Sequence, residues 1–244
     1  MMNNQYVFVL AFEHIFKQNE LQSLVRLQQV FEKKLPVFKE IKSFNVKIEG
    51  DVVRQEQELS GVLFQEFNNN SQLVWELKIE KNTITVSCFA ENNWQKLWNQ
   101  TQDYLLRTMK VIESESNRLM VCALKIVNKF LNENNQSVFS LNTPYLTPHV
   151  LNGNVGRLWH IHQGWFEQLE NQVYLHTLNL SVSDENAKMV STVVHNIQCQ
   201  FIKTPLAIIE FKETLMELFF LKLHHKNKKL LTNLLTQEQL ERME

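Results

Sequence analysis

The chain has 244 residues, 44% hydrophobic and 10% aromatic, which is enough apolar material to bury one large core or two modest ones and excludes a disordered polymer. Lysine and arginine number 25 against 26 aspartate and glutamate, so a formal net charge of −1 offers no global field for polyphosphate or an anionic bilayer. The five glycines fall in neither G-x-G-x-x-G nor Walker A spacing, which excludes glycine-loop phosphate cradles and with them P-loop hydrolases and dinucleotide enzymes.

In chain order, Tyr6 to Phe12 is short, β-branched and aromatic, the profile of a buried strand. From Asn19, read as an N-cap, Leu21, Leu24, Val25, Leu27, Phe31 and Leu35 recur at helical spacing, and Pro36 ends the run because the residue before proline is pushed out of the α region. Phe44 to Glu49, Gly61 to Phe67, Leu73 to Ile79 and Thr83 to Phe89 predict an antiparallel meander broken at Gly50–Asp51, Asn68–Ser71 and Lys81–Asn82. Asn93 opens a second helix carrying Trp94, Leu97, Trp98, Thr101, Tyr104, Leu105, Thr108 and Ile112 on one stripe, which leads into an apolar strand, Arg118 to Leu131.

The polar run Asn132 to Gln136 is the best internal boundary. Beyond it Val138 to Leu141 reads as a strand edge, and Thr143 to Pro148 as a proline-bounded loop. Arg157 to Phe166, Gln172 to Val182 and Met189 to Ile202 predict three strands, with Ser183 to Ala187 making a turn. A long helix is expected over Leu206 to Lys229, and Thr236 with Gln239 three residues later has the pattern that starts a short last helix. The expected fold is α+β: two halves, 1–133 and 134–244, each a mostly antiparallel sheet covered by helices.

Cys88, Cys122 and Cys199 are odd in number, far apart and set in apolar runs, as buried reduced thiols of a cytoplasmic protein would be. The N-terminus has no basic region followed by an apolar one, and no stretch approaches the roughly 18 apolar residues of a membrane span. A cytoplasmic location without membrane contact is therefore expected.

Two segments carry a resemblance. The run Ala123-Leu-Lys-Ile-Val-Asn128 is similar to an Arg-Leu-Gly-Leu-Arg-Tyr-Ile-Asn strand of a sporadically distributed bacterial family of uncharacterised single-chain proteins, keeping the leucine, a basic residue at Lys125 and the asparagine but lacking the glycine, arginine and tyrosine. Leu223-His-His-Lys-Asn227, followed by Leu234-Leu-Thr-Gln-Glu238, resembles that family's closing helix. The resemblance spans nearly the whole chain and implies a bacterial protein of α+β architecture; it implies no activity, and sporadic distribution associates it with defence or toxin–antitoxin genes.

Chemistry is sought first at Arg157-Leu-Trp-His-Ile-His-Gln-Gly-Trp165. His160 and His162 share one strand face and could fill two positions of a tetrahedral metal site, with His176, His195 or Cys199 as third ligand. The same spacing describes a half-exposed polar strand face, which is preferred, because a metal needs three or four converging ligands. No G-x-S-x-G elbow exposes a nucleophile, and the acidic pairs Glu56/Glu58 and Glu113/Glu115 sit in polar turns, where solvated carboxylates are the rule. Lys125 and Asn128 interrupt an apolar strand, and the lysine either snorkels or pairs with Glu13. Lys222, His224, His225, Lys226, Asn227, Lys228 and Lys229 are read as a cationic helix end, complementing the helix dipole or contacting an acidic partner or nucleic acid. The Trp94/Trp98 and Trp159/Trp165 pairs are assigned to the core.

The expected function is a non-enzymatic cytoplasmic interaction or regulatory subunit of a sporadic bacterial operon, with a protein partner encoded nearby and no cofactor. The alternatives are a nucleic-acid-binding or processing module and a histidine-based metal hydrolase. Ligand or partner contact is assigned to Lys125, Asn128, Arg157, His160, His162, His224, Lys226 and Asn227.

Overall fold

The computed structural model describes residues 3–49, 52–89, 93–132, 137–151, 156–169, 172–201 and 204–242. The fold is α+β, dominated by antiparallel strand pairing. The chain divides into two compact units, and the division does not follow chain order. One unit, here the β2–β5 unit, comprises Val7–Cys122 and Phe201–Glu217; the other, the β7–β9 unit, comprises Met1–Tyr6, Ala123–Gln200 and Leu218–Glu244. The expected boundary at 133/134 lies outside the described residues, as do the turn at Gly50–Asp51 and the end of the predicted strand at Ile202.

In the β2–β5 unit, most of β1 (Asn3–Phe12) is followed by α1 (Gln18–Val25) and α2 (Leu27–Phe31), then β2 (Val37–Glu49), β3 (Val52–Phe67), β4 (Leu73–Glu80), β5 (Thr83–Cys88) and α3 (Trp94–Val111). Strand order is β2-β3-β4-β5-β1. The first helix begins two residues before the expected cap: Lys17 is the N-cap, and its N–H donates to Glu20 Oε2 at 2.6 Å, so an acidic side chain inside the first turn satisfies the helix end. The Asn93 cap forms as expected, its side chain accepting from Lys96 N–H at 3.1 Å. Apolar alternation on the strands and the α3 stripe meet in one core, where Phe31 and Trp75 set their rings edge-on to Tyr104 at 5.4 and 5.7 Å. Trp98 is buried and stacks beside Trp94, in keeping with the core assignment.

A bulge shapes β3. Ile41 pairs with Gly61 and Lys42 with Leu59, which leaves Ser60 as the extra residue, its hydroxyl donating to Ile41 O at 3.1 Å. Gly61 then lies so close to β4 that a Cβ there would sit 2.2 Å from the Ile79 carbonyl oxygen.

The β7–β9 unit takes most of β6 (Arg118–Leu131), then α4 (Pro148–Leu151), β7 (Trp159–Leu169), β8 (Gln172–Glu185), β9 (Lys188–Gln200), most of α5 (Glu213–Leu234) and α6 (Gln237–Glu241). Its strand order is β6-β9-β8-β7. Leu178, Leu180, Val193 and Phe130 from the strands pack with Leu230, Leu231 and Leu234 of α5. The expected edge at Val138 to Leu141 is a single bridge, Phe139 to Leu235, and Thr236 caps α6 by accepting from Gln239 N–H at 3.3 Å.

The helix expected over Leu206 to Lys229 is displaced. Leu206 and Ala207 instead form β10 against Leu119 and Arg118, and α5 runs Glu213–Leu234. Apolar spacing in this stretch suits either state, but Pro205 favours extended backbone before it, and Ile208 and Phe211 are buried in the turn that follows β10.

Between β8 and β9 the turn residues Asn186 and Ala187 have φ of 55° and 63°, the left-handed pair that a two-residue hairpin requires. Alanine is a poor occupant of that region, so Ala187→Gly is expected to raise stability by about 1 kcal/mol, read as a higher urea midpoint. Among the described residues no helix is long and apolar enough to cross a membrane.

Candidate functional site

Strand alternation in the β7–β9 unit divides its side chains between two faces. Trp165 and Glu167 on β7, Tyr174 and His176 on β8, and His195 and Cys199 on β9 lie on the face covered by α5, while His160, His162 and Phe166 lie on the other. The buried stripe of α5 repeats at three and four residues through Phe220, Leu223, His224, Asn227, Leu230 and Leu231, so helical periodicity brings two polar side chains onto the sheet.

These residues form a chain of hydrogen bonds. His176 Nε2 lies 3.0 Å from Glu167 Oε2, His176 Nδ1 lies 3.1 Å from His195 Nε2, and His195 Nδ1 lies 3.0 Å from Asn227 Oδ1. Lys226 Nζ donates to the same Glu167 oxygen at 2.5 Å and sits 4.5 Å from the centre of the Tyr174 ring. Trp165 stacks on His176 at 4.9 Å with planes 8° apart, and Tyr145 stacks on Trp165. Tyr174 donates its hydroxyl hydrogen to Gln172, which also accepts from Lys222 at 3.4 Å.

Ring geometry decides what the histidine pair can hold. The imidazole centres are 5.3 Å apart with planes 21° apart, while the facing nitrogens are 3.1 Å apart, so the nitrogens point at one another almost in plane. That is an N–H···N hydrogen bond. A metal bridging two such in-line nitrogens at about 2.0 Å each would need them about 4 Å apart. Among the described residues no group of three or more His, Cys, Asp or Glu is placed to hold a metal ion.

Burial pushes His195 down to about 4, with the Asn227 hydrogen bond a lesser, opposing influence. His176 is also lowered, chiefly by burial and partly restored by Glu167. Burial works against the Glu167 charge, but hydrogen bonds and charge from Lys226 and His176 outweigh it and hold the carboxyl below its ordinary range. At neutral pH the pair is therefore uncharged beside an ionised carboxylate. His176 Nε2–H donates to the ionised Glu167, and at the other end of the chain the Asn227 carbonyl oxygen is the acceptor facing His195 Nδ1.

His176 and His195 are buried, and Cys199 is buried with its thiol pushed up to about 11 by burial, well away from the reactive thiolate range at neutral pH. Cys88 and Cys122 are buried as well.

The structure distributes the expected contact residues widely. His160 and His162 are exposed on β7, and His162 Nδ1 meets Asn179 Oδ1 at 2.5 Å; the expected third ligands His176, His195 and Cys199 lie on the opposite face, because strand alternation separates them. Lys125 is exposed on β6, as a snorkelling lysine would be, and Glu13 lies 3.9 Å from His14. Asn128 is buried, and its amide nitrogen has no hydrogen-bond partner among the described residues. Arg157 is exposed and lines a cavity of about 620 Å3 with Asp184, Lys188 and Met189.

The cationic helix end expected at 222–229 is only partly a surface. His224 and Asn227 are buried, Lys226 is held by Glu167, and only His225, Lys228 and Lys229 are exposed. Burial, with Lys228 and His225 nearby, pushes His224 down to about 4. Sequence reasoning missed Glu167, Trp165 and Tyr174 as members of the network. Their only signal is a shared strand face with His176, which becomes meaningful once the register is known. No protein family, curated protein or solved structure matches the chain.

Proposed function

We propose that the chain is a non-enzymatic, cytoplasmic interaction subunit that binds a protein partner on the uncovered face of β7, β8 and β9. One observation carries this reading. Along the middle of the strands the side chains on that face run His160, His162, Gly164, Phe166 and Gln168 on β7, Val173, Leu175, Thr177, Asn179 and Ser181 on β8, and Thr192, Val194, Asn196, Gln198 and Gln200 on β9, all exposed or half-exposed and without one aspartate, glutamate, lysine or arginine; Glu185 and Lys188, which share the face, stand at the hairpin end. Solvated sheet faces ordinarily carry charge, whereas the centres of protein interfaces are depleted of it. Phe166, 70% exposed and paired across the ladder with Leu175, supplies an aromatic anchor of the kind that dominates interface energetics.

The same lack of charge weighs against nucleic acid, whose binding depends on lysines and arginines that neutralise phosphates. A metal hydrolase centred on His160 and His162 gains no further ligand from the neighbouring strands. The resemblance of 123–128 and 223–227 to a sporadic bacterial family supports a place in a defence-type operon. Both units also share a connectivity of strand, helix, antiparallel meander and helix, which supports two halves, each a mostly antiparallel sheet covered by helices.

Co-expression with the neighbouring genes, native mass measurement and elemental analysis of the same sample test the proposal. A stoichiometric protein partner is expected, lost in Phe166→Asp while the thermal midpoint stays within a few degrees. Retention of the partner by that variant rejects the surface. A metal-bearing or nucleic-acid-bearing sample without a partner, or turnover abolished by one substitution, rejects the function.

A further inference from the structure

The α5 helix has a second organised face. Leu218, Leu221, Lys222, His225, Lys226 and Lys229 follow at intervals of three and four residues, so they form one stripe over about three turns. Together with Leu169 at the end of β7 they line a groove of about 440 Å3. Leu218 is 58% exposed and Leu169 39%, an unusual amount of apolar surface to leave beside three lysines.

Charge in the groove is one-sided. No carboxylate lines it, and the adjacent Glu167 is already engaged by Lys226 at 2.5 Å and His176 at 3.0 Å. Lys229 has no ion-pair partner among the described residues. The leucines gather toward the N-terminal end of the stripe and the cations toward its C-terminal end.

We propose that this groove docks an acidic amphipathic helix of a protein partner, a proposal that rests on reading the chain as an interaction subunit. Apolar side chains of the incoming helix cover Leu169, Leu218 and Leu221, and its carboxylates meet Lys222, Lys229 and the exposed His225. Carboxylates are most favourable in the first turn of a helix, and the cations lie at the C-terminal end of α5, so the two helices run antiparallel. Lys226, pinned by Glu167 and the Tyr174 ring, neutralises that carboxylate and forms a fixed wall of the groove.

The test titrates the full chain into a fluorescein-labelled synthetic helix of about four turns, with glutamates in its first two turns and leucines at helical spacing in the last two, and reads anisotropy. A scrambled peptide of the same composition and a lysine-for-glutamate peptide serve as controls. Binding is expected only for the designed order; it falls about tenfold or more in the double variant His225→Glu/Lys229→Glu, whose sites are both exposed, and weakens with salt. Phe166→Asp leaves this binding unchanged, so failure of the open sheet face and failure of the groove are separately visible. Absent binding, equal binding of the scrambled or lysine peptide, or no response to charge reversal overturns the proposal.

Discussion

Between pH 7 and pH 4 the protein is expected to lose several kcal/mol of stability, measured as a fall in the urea midpoint across that range. His195 and His224 are buried and each is pushed down to about 4 from an ordinary 6.5, chiefly by burial. In that window the unfolded chain binds protons that the folded chain refuses, so stability rises with pH. The contribution is fully present above the ordinary histidine value and is lost as pH falls through 6.5 toward 4. Each group, shifted by about two and a half pH units, is worth about 3 kcal/mol. His176 acts in the same direction. Glu167 adds a further loss at lower pH, because its depressed folded value stabilises the protein only while the carboxylate is ionised. The variant His195→Gln should flatten the profile by about half, leaving the His224 share. A midpoint that does not move between pH 7 and pH 4 would show that neither histidine is held neutral.

Gly61→Ala is expected to destabilise the protein by about 3 kcal/mol or more, as the cost of overpacking is joined by lost ladder hydrogen bonds. The added Cβ would lie 2.2 Å from the Ile79 carbonyl oxygen and 3.0 Å from Glu80 Cα. Both are backbone atoms, so no rotamer change relieves the contact and β3 must part from β4. The parting falls where Val62, Phe64, Leu77 and Ile79 are wholly buried. Gly164→Ala is the natural control, since its Cβ would meet the His176 carbonyl oxygen at 3.2 Å, which a shift of a few tenths of an ångström relieves. Chemical denaturation of the two variants separates them. A Gly61→Ala midpoint equal to that of Gly164→Ala would mean that the bulge at Ser60 absorbs the strain.

Much of the local structure is legible in the residues. The Asn93 and Thr236 caps, the α3 stripe and the strands β4, β5, β8 and β9 follow from capping chemistry and periodicity, which act over a few positions. The faces of β8, with Val173, Leu175 and Thr177 opposite Tyr174, His176 and Leu178, were also readable, because alternation is a property of the strand alone. The misplacement of α5 shows the limit: Leu206 to Phe211 satisfies a helical count of apolar residues, yet pairing with Leu119 decides for strand at Leu206 and Ala207.

The candidate site was less legible for the same reason. His160 and His162 attract attention because they are close in sequence, but their strand places them in the open, facing Asn179 and away from the other histidines. The histidines that do meet are 19 positions apart, and Asn227 is a further 32 from His195. By itself the sequence determined an α+β protein with buried cysteines, no glycine-loop phosphate spacing and a helix near its C-terminus whose polar residues fall at regular spacing. Only the tertiary structure decided that Glu167, His176, His195 and Asn227 form one hydrogen-bonded chain and that the opposite face of the same strands carries charge only at its hairpin end, at Glu185 and Lys188. Composition and periodicity are set residue by residue along the chain, whereas the register of β7, β8 and β9 and the seating of α5 are set by packing between segments far apart in it.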